Sequence, residues 1–312
     1  CPVPMPRTNA SCPVPIAFVD HTMKLAFSTV ATPEWTLEQV AAFAEEVGYD
    51  GVELRTFGSG SSQFACDPAL TAPENIRKIL APTGVGVACV ATSASYEAPV
   101  TPPVIGHILG GTPAGVKLTG WAVDLAARVE APLVRVFPGT IPGMDTRWTG
   151  TNRIVERLEL AVATARNTGV QLALENSGSF TTAVALSELL DRVNSPLLGV
   201  AYNPAIAALD GEDPASAINV LGERLLSVKL RDMLNAKPVA LGEGTLPTRK
   251  FVEALAKSGY RGWIVHEHDA AWLGEGREDA RSVLSRSAKA VASWGVGAIA
   301  ARGVARGPMA VR

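Results

Sequence analysis

Residues 225–232 read LLSVKLRD, an apolar run with the pattern of a buried strand that places Lys229 near its end. A lysine is not expected there, because burying an ammonium group is costly unless anions lie beside it. The stretch therefore predicts a strand that ends among carboxylates. Other apolar runs of this type, and the carboxylates near their ends, are therefore the features of the chain that matter most.

One unit recurs along the chain: a short apolar run rich in β-branched residues, then a loop, then an amphipathic helix. Thr36 and Gln39 predict a capping box at the start of the first helix, which Gly48 would end. The predicted strands are 24–29, 51–55, 85–92, 132–137, 170–176, 198–203, 225–230 and 263–268, and the clearest helices are 36–47, 154–167, 183–192, 248–257 and 277–292.

Eight strands separated by helices predict an α/β protein, a single (β/α)8 TIM barrel. The rival architecture, an open doubly wound sheet, would need a glycine-rich phosphate turn after the first strand, where residues 31–34 read ATPE. No linker divides the chain into two domains. We therefore expect a barrel over residues 23–295, a poorly ordered proline-rich leader over 1–22 and a C-terminal tail over 296–312.

The composition excludes several classes of protein. A chain that is 47% hydrophobic and 19% charged, with a net charge of -2, is typical of a soluble globular protein. It lacks the basic runs by which nucleic-acid binders neutralise phosphates. The 4 cysteines show neither metal-type spacing nor a dense disulfide framework. No apolar run reaches the roughly 18 residues of a membrane span, so we expect a cytoplasmic protein.

In a TIM barrel the chemistry lies at the carboxyl ends of the strands, so the polar residues there are the candidate site. Glu53 shares a strand face with Arg55, whereas the fourth strand offers only Pro138. Gly242-Glu243-Gly244 resembles a phosphate-binding loop, but no cluster of lysine or arginine accompanies it, which favours an unphosphorylated substrate. The residues at the predicted strand ends are Arg55, Thr92, Glu175, Asn203, Lys229 and Glu267, with Arg231 just beyond.

Five stretches together resemble the xylose isomerase-like TIM barrel superfamily, which includes sugar isomerases and epimerases, inosose dehydratase and AP endonuclease family 2. The resemblance implies a role in carbohydrate metabolism with a small-molecule sugar or polyol substrate. The charge pattern and the lack of a long apolar run predict no nucleic-acid or membrane partner. Members of the superfamily include homodimers and homotetramers. The stretches are GYDGVELR (48–55), GVQLALEN (169–176), LGVAYNPAIAALDGEDP (198–214), SVKLRD (227–232) and LGEGTLPTRKFVEALAKSGYRGWIVHEH (241–268).

The resemblance also implies a divalent metal, held by a Glu, an Asp, a His and a Glu at the ends of strands five to eight. Glu175 and Glu267 match this pattern, but Asn203 replaces the Asp and Lys229 replaces the His. The two replacements compensate each other in charge, and an ammonium group repels a dication. We therefore expect Lys229 to act in place of the metal, with no cofactor. The alternative is a weak site for Mn, Mg, Co or Zn made by Glu175, Asn203 and Glu267.

The family pattern implies an isomerase or epimerase that abstracts a proton next to a carbonyl. Glu175 and Glu267 would be its acid and base, and Lys229 would stabilise the oxyanion. We expect Lys229 to lie between the two glutamates, and Arg55, Asn203 and Arg231 to bind substrate.

Several alternatives remain open at this stage. The protein could be an inosose dehydratase-like lyase, or a non-catalytic sugar-binding relative in which Lys229 is purely structural. Lys229 could form a Schiff base, or it could point outward between helices. An endonuclease is disfavoured, because zinc ligands and a basic face are missing.

Overall fold

The computed structural model describes residues 23–58, 64–98, 112–269 and 278–296. Eight parallel strands close into a barrel in the order β1-β10-β7-β6-β5-β4-β3-β2, which confirms the predicted single (β/α)8 fold. The predicted leader over 1–22 and all but the first residue of the predicted tail lie outside the described residues. The barrel strands are β1 (Lys24–Ser28), β2 (Gly51–Arg55), β3 (Gly86–Ala91), β4 (Leu133–Val136), β5 (Gln171–Glu175), β6 (Leu198–Tyr202), β7 (Leu225–Leu230) and β10 (Trp263–His266).

Helices surround the barrel and connect its strands. The capping box of Thr36 and Gln39 is present, and Gly48 ends the first helix in the left-handed conformation, both as predicted. No helix within the described ranges is long and apolar enough to cross a membrane. The helices are α1 (Leu37–Val47), α2 (Pro73–Leu80), α3 (Ala114–Arg128), α4 (Arg147–Thr164), α5 (Ala183–Val193), α6 (Pro204–Leu209), α7 (Pro214–Leu221), α8 (Thr248–Lys257) and α9 (Ala280–Ser293), with short 3-10 turns at Thr29–Ala31, Pro68–Leu70, Ala81–Thr83 and Gly222–Arg224.

Two local features differ from the expectation. Helix α4 begins at Arg147 rather than at residue 154, because Thr146 caps it by accepting the N–H of Thr149. The first turns of α4 carry few apolar residues, which hid them from a search for hydrophobic periodicity. In addition, a short antiparallel hairpin follows β7, formed by β8 (Asp232–Leu234) and β9 (Lys237–Val239).

The inside of the barrel is apolar at its amino-terminal end. Ala26, Ala88 and Val265 form a small core there, separate from the main core between strands and helices, and the Trp263 ring packs against it. Gly51 makes room for that ring, since a Cβ at Gly51 would lie 2.7 Å from a ring carbon. These five residues are called the barrel floor below. They close one end of the barrel and leave the other end for chemistry.

Candidate active site

The barrel orients Lys229 inward. Its ammonium donates hydrogen bonds to both carboxylate oxygens of Glu53 on β2, and the two side chains are 0% and 1% exposed. An outward position between helices is therefore excluded. The direct partner of Lys229 is thus Glu53, which the sequence reading did not predict, and not Glu175 or Glu267. Strand spacing alone could not show which carboxylate the lysine would reach across the barrel.

Lys229 also experiences the charges of the other glutamates. Burial alone would lower the pKa of its ammonium, but attraction by Glu267, Glu53 and Glu175 outweighs burial and raises the pKa above its usual value. Lys229 is thus a fixed cation at neutral pH. A lysine can stand near the end of this strand because the barrel interior surrounds it with carboxylates.

Strand β4 contributes a cation that the sequence reading missed. Arg135, rather than Pro138, is the polar residue of this strand, and it is 1% exposed. Its Nε lies 3.2 Å from Oε2 of Glu175, and its Nη1 donates to the carbonyl of Thr92 at 2.7 Å. A charged residue inside the apolar run PLVRVF is the same signal that marked Lys229, and it would have identified Arg135 as well.

Glu175 ends β5 with one carboxylate oxygen bonded and the other available. Asn203, which follows β6, donates its amide Nδ2–H to Oε1 at 3.1 Å. The contact with Arg135 lacks hydrogen-bond geometry, so the buried Oε2 accepts no hydrogen bond from the described residues. Burial and repulsion by Glu267 raise the pKa of Glu175, against the attraction of Arg135. Glu175 therefore takes up a proton more readily than an ordinary glutamate.

Glu267 has the opposite electrostatic setting. It follows β10 and receives two hydrogen bonds from Arg231, 2.8 Å from Nη2 and 3.2 Å from Nε to its Oε2. Arg231 also donates to Asp269 at 2.7 Å. Burial would raise the pKa of Glu267, but Lys229, Arg231 and Arg135 together hold it well below its usual range. The two glutamates predicted to be acid and base thus have pKa values shifted in opposite directions.

Arg55 ends β2 on the same inward face as Glu53. Its Nη1 donates to the carbonyl of Ala91 at 3.4 Å, and its guanidinium carbon lies 6.0 Å from the centre of the Phe57 ring. Burial and repulsion by Arg135 lower its pKa to about 10.

The structure thus brings the predicted Arg55, Glu175, Asn203, Lys229, Arg231 and Glu267 to one end of the barrel, together with Glu53 and Arg135. Glu53, Arg135, Glu175, Lys229, Arg231 and Glu267 are called the mouth cluster below.

These residues do not fit a divalent metal. Oδ1 of Asn203 accepts the N–H of Ala205, while its amide nitrogen faces Glu175. The side chain of Asn203 therefore turns no oxygen toward the glutamates that could coordinate a metal. Arg231 occupies Oε2 of Glu267, and the Lys229 ammonium would repel a dication. In the described part of the chain, no group of three or more His, Cys, Asp or Glu side chains is arranged to hold a metal.

The loop after β9 is occupied by a carboxylate of the chain itself. Asp232 accepts the N–H groups of Gly242 at 2.9 Å, Gly244 at 3.1 Å and Leu246 at 3.3 Å. It also accepts the N–H of Met233. The amides of the loop that resembles a phosphate site therefore already have an anionic partner, which supports the expectation of an unphosphorylated substrate.

A closed parallel barrel with a buried charged cluster at the carboxyl ends of its strands defines a TIM barrel with an enzyme-like site. The chain belongs to the xylose isomerase-like TIM barrel family, whose model matches residues 41–291. No curated protein sequence matches the chain significantly.

Solved structures share the fold at low sequence identity. An L-ribulose 3-epimerase is 16% identical with a TM-score of 0.71, covering 93% of this chain and 100% of its own. A D-allulose 3-epimerase from Methylomonas sp. is 17% identical with a TM-score of 0.70, covering 88% and 98%. A probable 3-DHS dehydratase involved in petrobactin synthesis from Bacillus anthracis is 15% identical with a TM-score of 0.68, covering 86% and 98%. This likeness shows the shared barrel.

Proposed function

We propose that the protein is a sugar or polyol-ketone isomerase or epimerase that abstracts a proton next to a carbonyl, with Lys229 in place of the family's divalent metal. The observation that carries the proposal is Oε2 of Glu175, a buried carboxylate oxygen 3.2 Å from Nε of Arg135 that accepts no hydrogen bond from the described residues and lies within the field of the buried Lys229 ammonium. The similarity to two 3-epimerases supports this reaction class.

Proton transfer is divided between the two glutamates. Glu267 stays ionised because Lys229, Arg231 and Arg135 stabilise its charge, so it can accept the proton from carbon. Glu175 has a raised pKa, so it can hold a proton on Oε2 and deliver it to the substrate. In the reverse direction the two exchange roles.

Lys229 stabilises the negative charge that develops on the carbonyl oxygen. Glu53 fixes the ammonium in place, so little reorganisation is needed as that charge appears. The raised pKa keeps Lys229 protonated, which weighs against a Schiff base. Asn203 and Arg231 use their donors on Glu175 and Glu267, so we assign both to positioning those carboxylates rather than to binding substrate directly.

Solvent exchange tests the proposal. Wild-type protein incubated with unphosphorylated ketoses and inososes in deuterated water should incorporate deuterium next to the carbonyl while substrate mass is otherwise conserved. Glu175→Gln should slow exchange by about 10²–10⁴-fold. Glu46→Gln, which removes a surface carboxylate paired with Arg281, is the matched control and should leave the rate unchanged.

The role of Lys229 needs its own variant. Lys229→Met alone would leave Glu53 buried and unpaired, so the double variant Glu53→Gln/Lys229→Met is used and its folding is checked by thermal unfolding. We expect a loss of about 10²–10³-fold in exchange, the size of a lost oxyanion donor. Unchanged exchange in the folded double variant would contradict the role of Lys229. Borohydride with substrate should leave no adduct on Lys229.

Metal independence is measured separately. Elemental analysis of purified protein and a calorimetric titration with Mn, Mg, Co and Zn should show no tight stoichiometric binding. Such binding would contradict the replacement of the metal by Lys229. A cytoplasmic location and a homodimeric or homotetrameric state stay predictions for fractionation and light scattering.

A lyase is the second candidate, favoured by the similarity to the probable 3-DHS dehydratase. The same acid and base can eliminate water β to a carbonyl once the α proton is removed. Loss of water in the exchange experiment would favour this reaction over isomerisation. Ligand-dependent thermal stabilisation without exchange would instead favour a non-catalytic binding protein.

A further inference from the structure

The cations at the barrel mouth differ in their pairing. Lys229 contacts Glu53, Arg135 contacts Glu175, and Arg231 contacts Glu267 and Asp269. Arg55 forms no ion pair with any carboxylate of the described residues, although it lies within the field of Glu267 and Glu53. Among the described residues, Arg55 is therefore the cation of this site whose charge has no direct counter-ion.

The guanidinium of Arg55 also uses few of its donors. A guanidinium carries five N–H groups in a planar fork, and here one contact of 3.4 Å reaches the Ala91 carbonyl. The backbone is held separately, since the N–H of Arg55 donates to Oγ1 of Thr29 at 3.0 Å. The guanidinium carbon lies over the ring of Phe57, 6.0 Å from its centre. Within the described ranges, most N–H donors of this partly desolvated guanidinium therefore have no acceptor.

A planar carboxylate is the group that best fits such a fork, because it takes two parallel hydrogen bonds from one guanidinium. A phosphate is less suited to this site, since the loop amides that could bind it already serve Asp232. Glu175 adds to the preference: when it takes up a proton, the site gains positive charge.

We propose that the substrate carries a carboxylate that Arg55 binds, so that the substrate class is a hydroxylated acid bearing a ketone, such as a sugar acid. This inference rests on the proposed function, which it sharpens from sugars and polyol ketones in general to their acids. The depressed pKa of Arg55 agrees with it, since an anionic ligand would relieve the burial of an unpaired cation.

Binding without turnover provides the first test. Gluconate and sorbitol differ in a terminal carboxylate and carry no ketone, so neither can react at a carbonyl. Calorimetry on the wild-type protein should show gluconate binding at least about tenfold tighter than sorbitol, the scale of one charge-assisted hydrogen-bonded pair. Arg55→Gln should remove that preference, and Arg55→Lys should restore part of it. Arg281→Gln removes a surface guanidinium that also lies over aromatic rings, and it should change nothing.

Exchange provides the second test and separates the two hypotheses. Keto acids such as 5-ketogluconate should exchange deuterium faster than fructose in the wild-type protein, and Arg55→Gln should abolish the difference mainly through KM. Exchange with neutral or phosphorylated ketoses but not with keto acids would overturn this inference and leave the proposed function standing. Arg55-dependent binding of gluconate with no exchange of any ketone would uphold the binding of a carboxylate by Arg55 and overturn the proposed function. Equal affinity of the folded wild-type protein for gluconate and sorbitol would overturn the inference outright.

Discussion

The two ends of the barrel interior differ in polarity. The barrel floor consists of small apolar residues around the ring of Trp263, whereas the mouth cluster carries three carboxylates, a lysine and two arginines. Most of the floor comes from β1, β3 and β10 and most of the mouth cluster from β4, β5 and β7, whereas β2 contributes to both ends. Gly51 of β2 admits a ring, and Glu53, two residues later, binds an ammonium.

This difference shows that the two ends of one barrel are stabilised by different interactions. Apolar packing at the floor is favourable without any particular charge state. The mouth cluster is stable only while each buried charge has a partner, because desolvated charges are costly when unpaired. A substitution at the floor should therefore act through volume, and a substitution at the mouth should act through charge.

The largest effect should follow from breaking the Lys229–Glu53 pair. Glu53→Gln leaves a fully buried ammonium without its direct counter-ion, and removing one partner of a buried pair costs about 3–5 kcal/mol. Urea unfolding of the wild-type and variant proteins measures the loss. Glu53→Gln/Lys229→Met should recover most of it, because an apolar replacement leaves no unpaired charge. A single variant as stable as the wild type would contradict the distinction between the two ends.

A smaller and pH-dependent effect is expected at Glu267. Glu267→Gln removes hydrogen bonds between charged groups and should cost about 2–3 kcal/mol at neutral pH. The folded protein holds the pKa of Glu267 below its value in the unfolded chain, so the ionised form stabilises the fold above the unfolded pKa of about 4.3. That contribution is lost as the pH falls through the folded-state pKa. The difference in unfolding free energy between the two proteins should therefore shrink below pH 4.3 or so, and a constant difference would count against this assignment.

At the floor, Gly51→Ala should destabilise by about 1–2 kcal/mol through overpacking alone. The added methyl group would approach the Trp263 ring to 2.7 Å and the carbonyl oxygen of Gly86 to 2.9 Å. Because no charge changes, the loss should be the same at pH 5 and at pH 8 in urea unfolding. A clear pH dependence would show that the floor and the mouth cluster are coupled.

The smallest effect should come from a pair of charges on the surface. Arg281 and Glu46 lie 2.8 Å apart but are half exposed or more, so Glu46→Gln should change the unfolding free energy by less than about 1 kcal/mol. High salt should remove whatever difference remains. A loss as large as that of Glu53→Gln would mean that burial is not what distinguishes the mouth cluster.

The barrel could be predicted from sequence because its strands are apolar and of regular length, and because each is followed by a helix. The start of α4 could not, since its first turns are polar and depend on the cap at Thr146. The hairpin of β8 and β9 was missed because three-residue strands leave almost no periodic signal.

Part of the candidate site could likewise be predicted, because its residues follow the strand pattern. Glu175, Lys229 and Glu267 could be located because they stand at or near predicted strand ends. Arg135 is one residue before the end of β4, as Lys229 is in β7, but the predicted fourth strand ran on to residue 137 and directed attention to Pro138 instead. The carboxylate that pairs with Lys229 could not be inferred from sequence, because the tilt and stagger of the strands determine that Lys229 contacts Glu53. Sequence spacing places residues along a strand but does not say which side chains meet across the barrel.

The carboxylate of Asp232 has a consequence for how this protein meets its ligands. It binds the loop amides of Gly242, Gly244 and Leu246 without the help of any small molecule, so this loop after β9 is ordered in advance. Amide hydrogen exchange at these positions should already be slow in the ligand-free protein. Attempts to evolve new specificity would therefore gain little from this loop without first replacing Asp232. A variant that lacks this carboxylate would leave the backbone N–H groups free to bind an anion from solution.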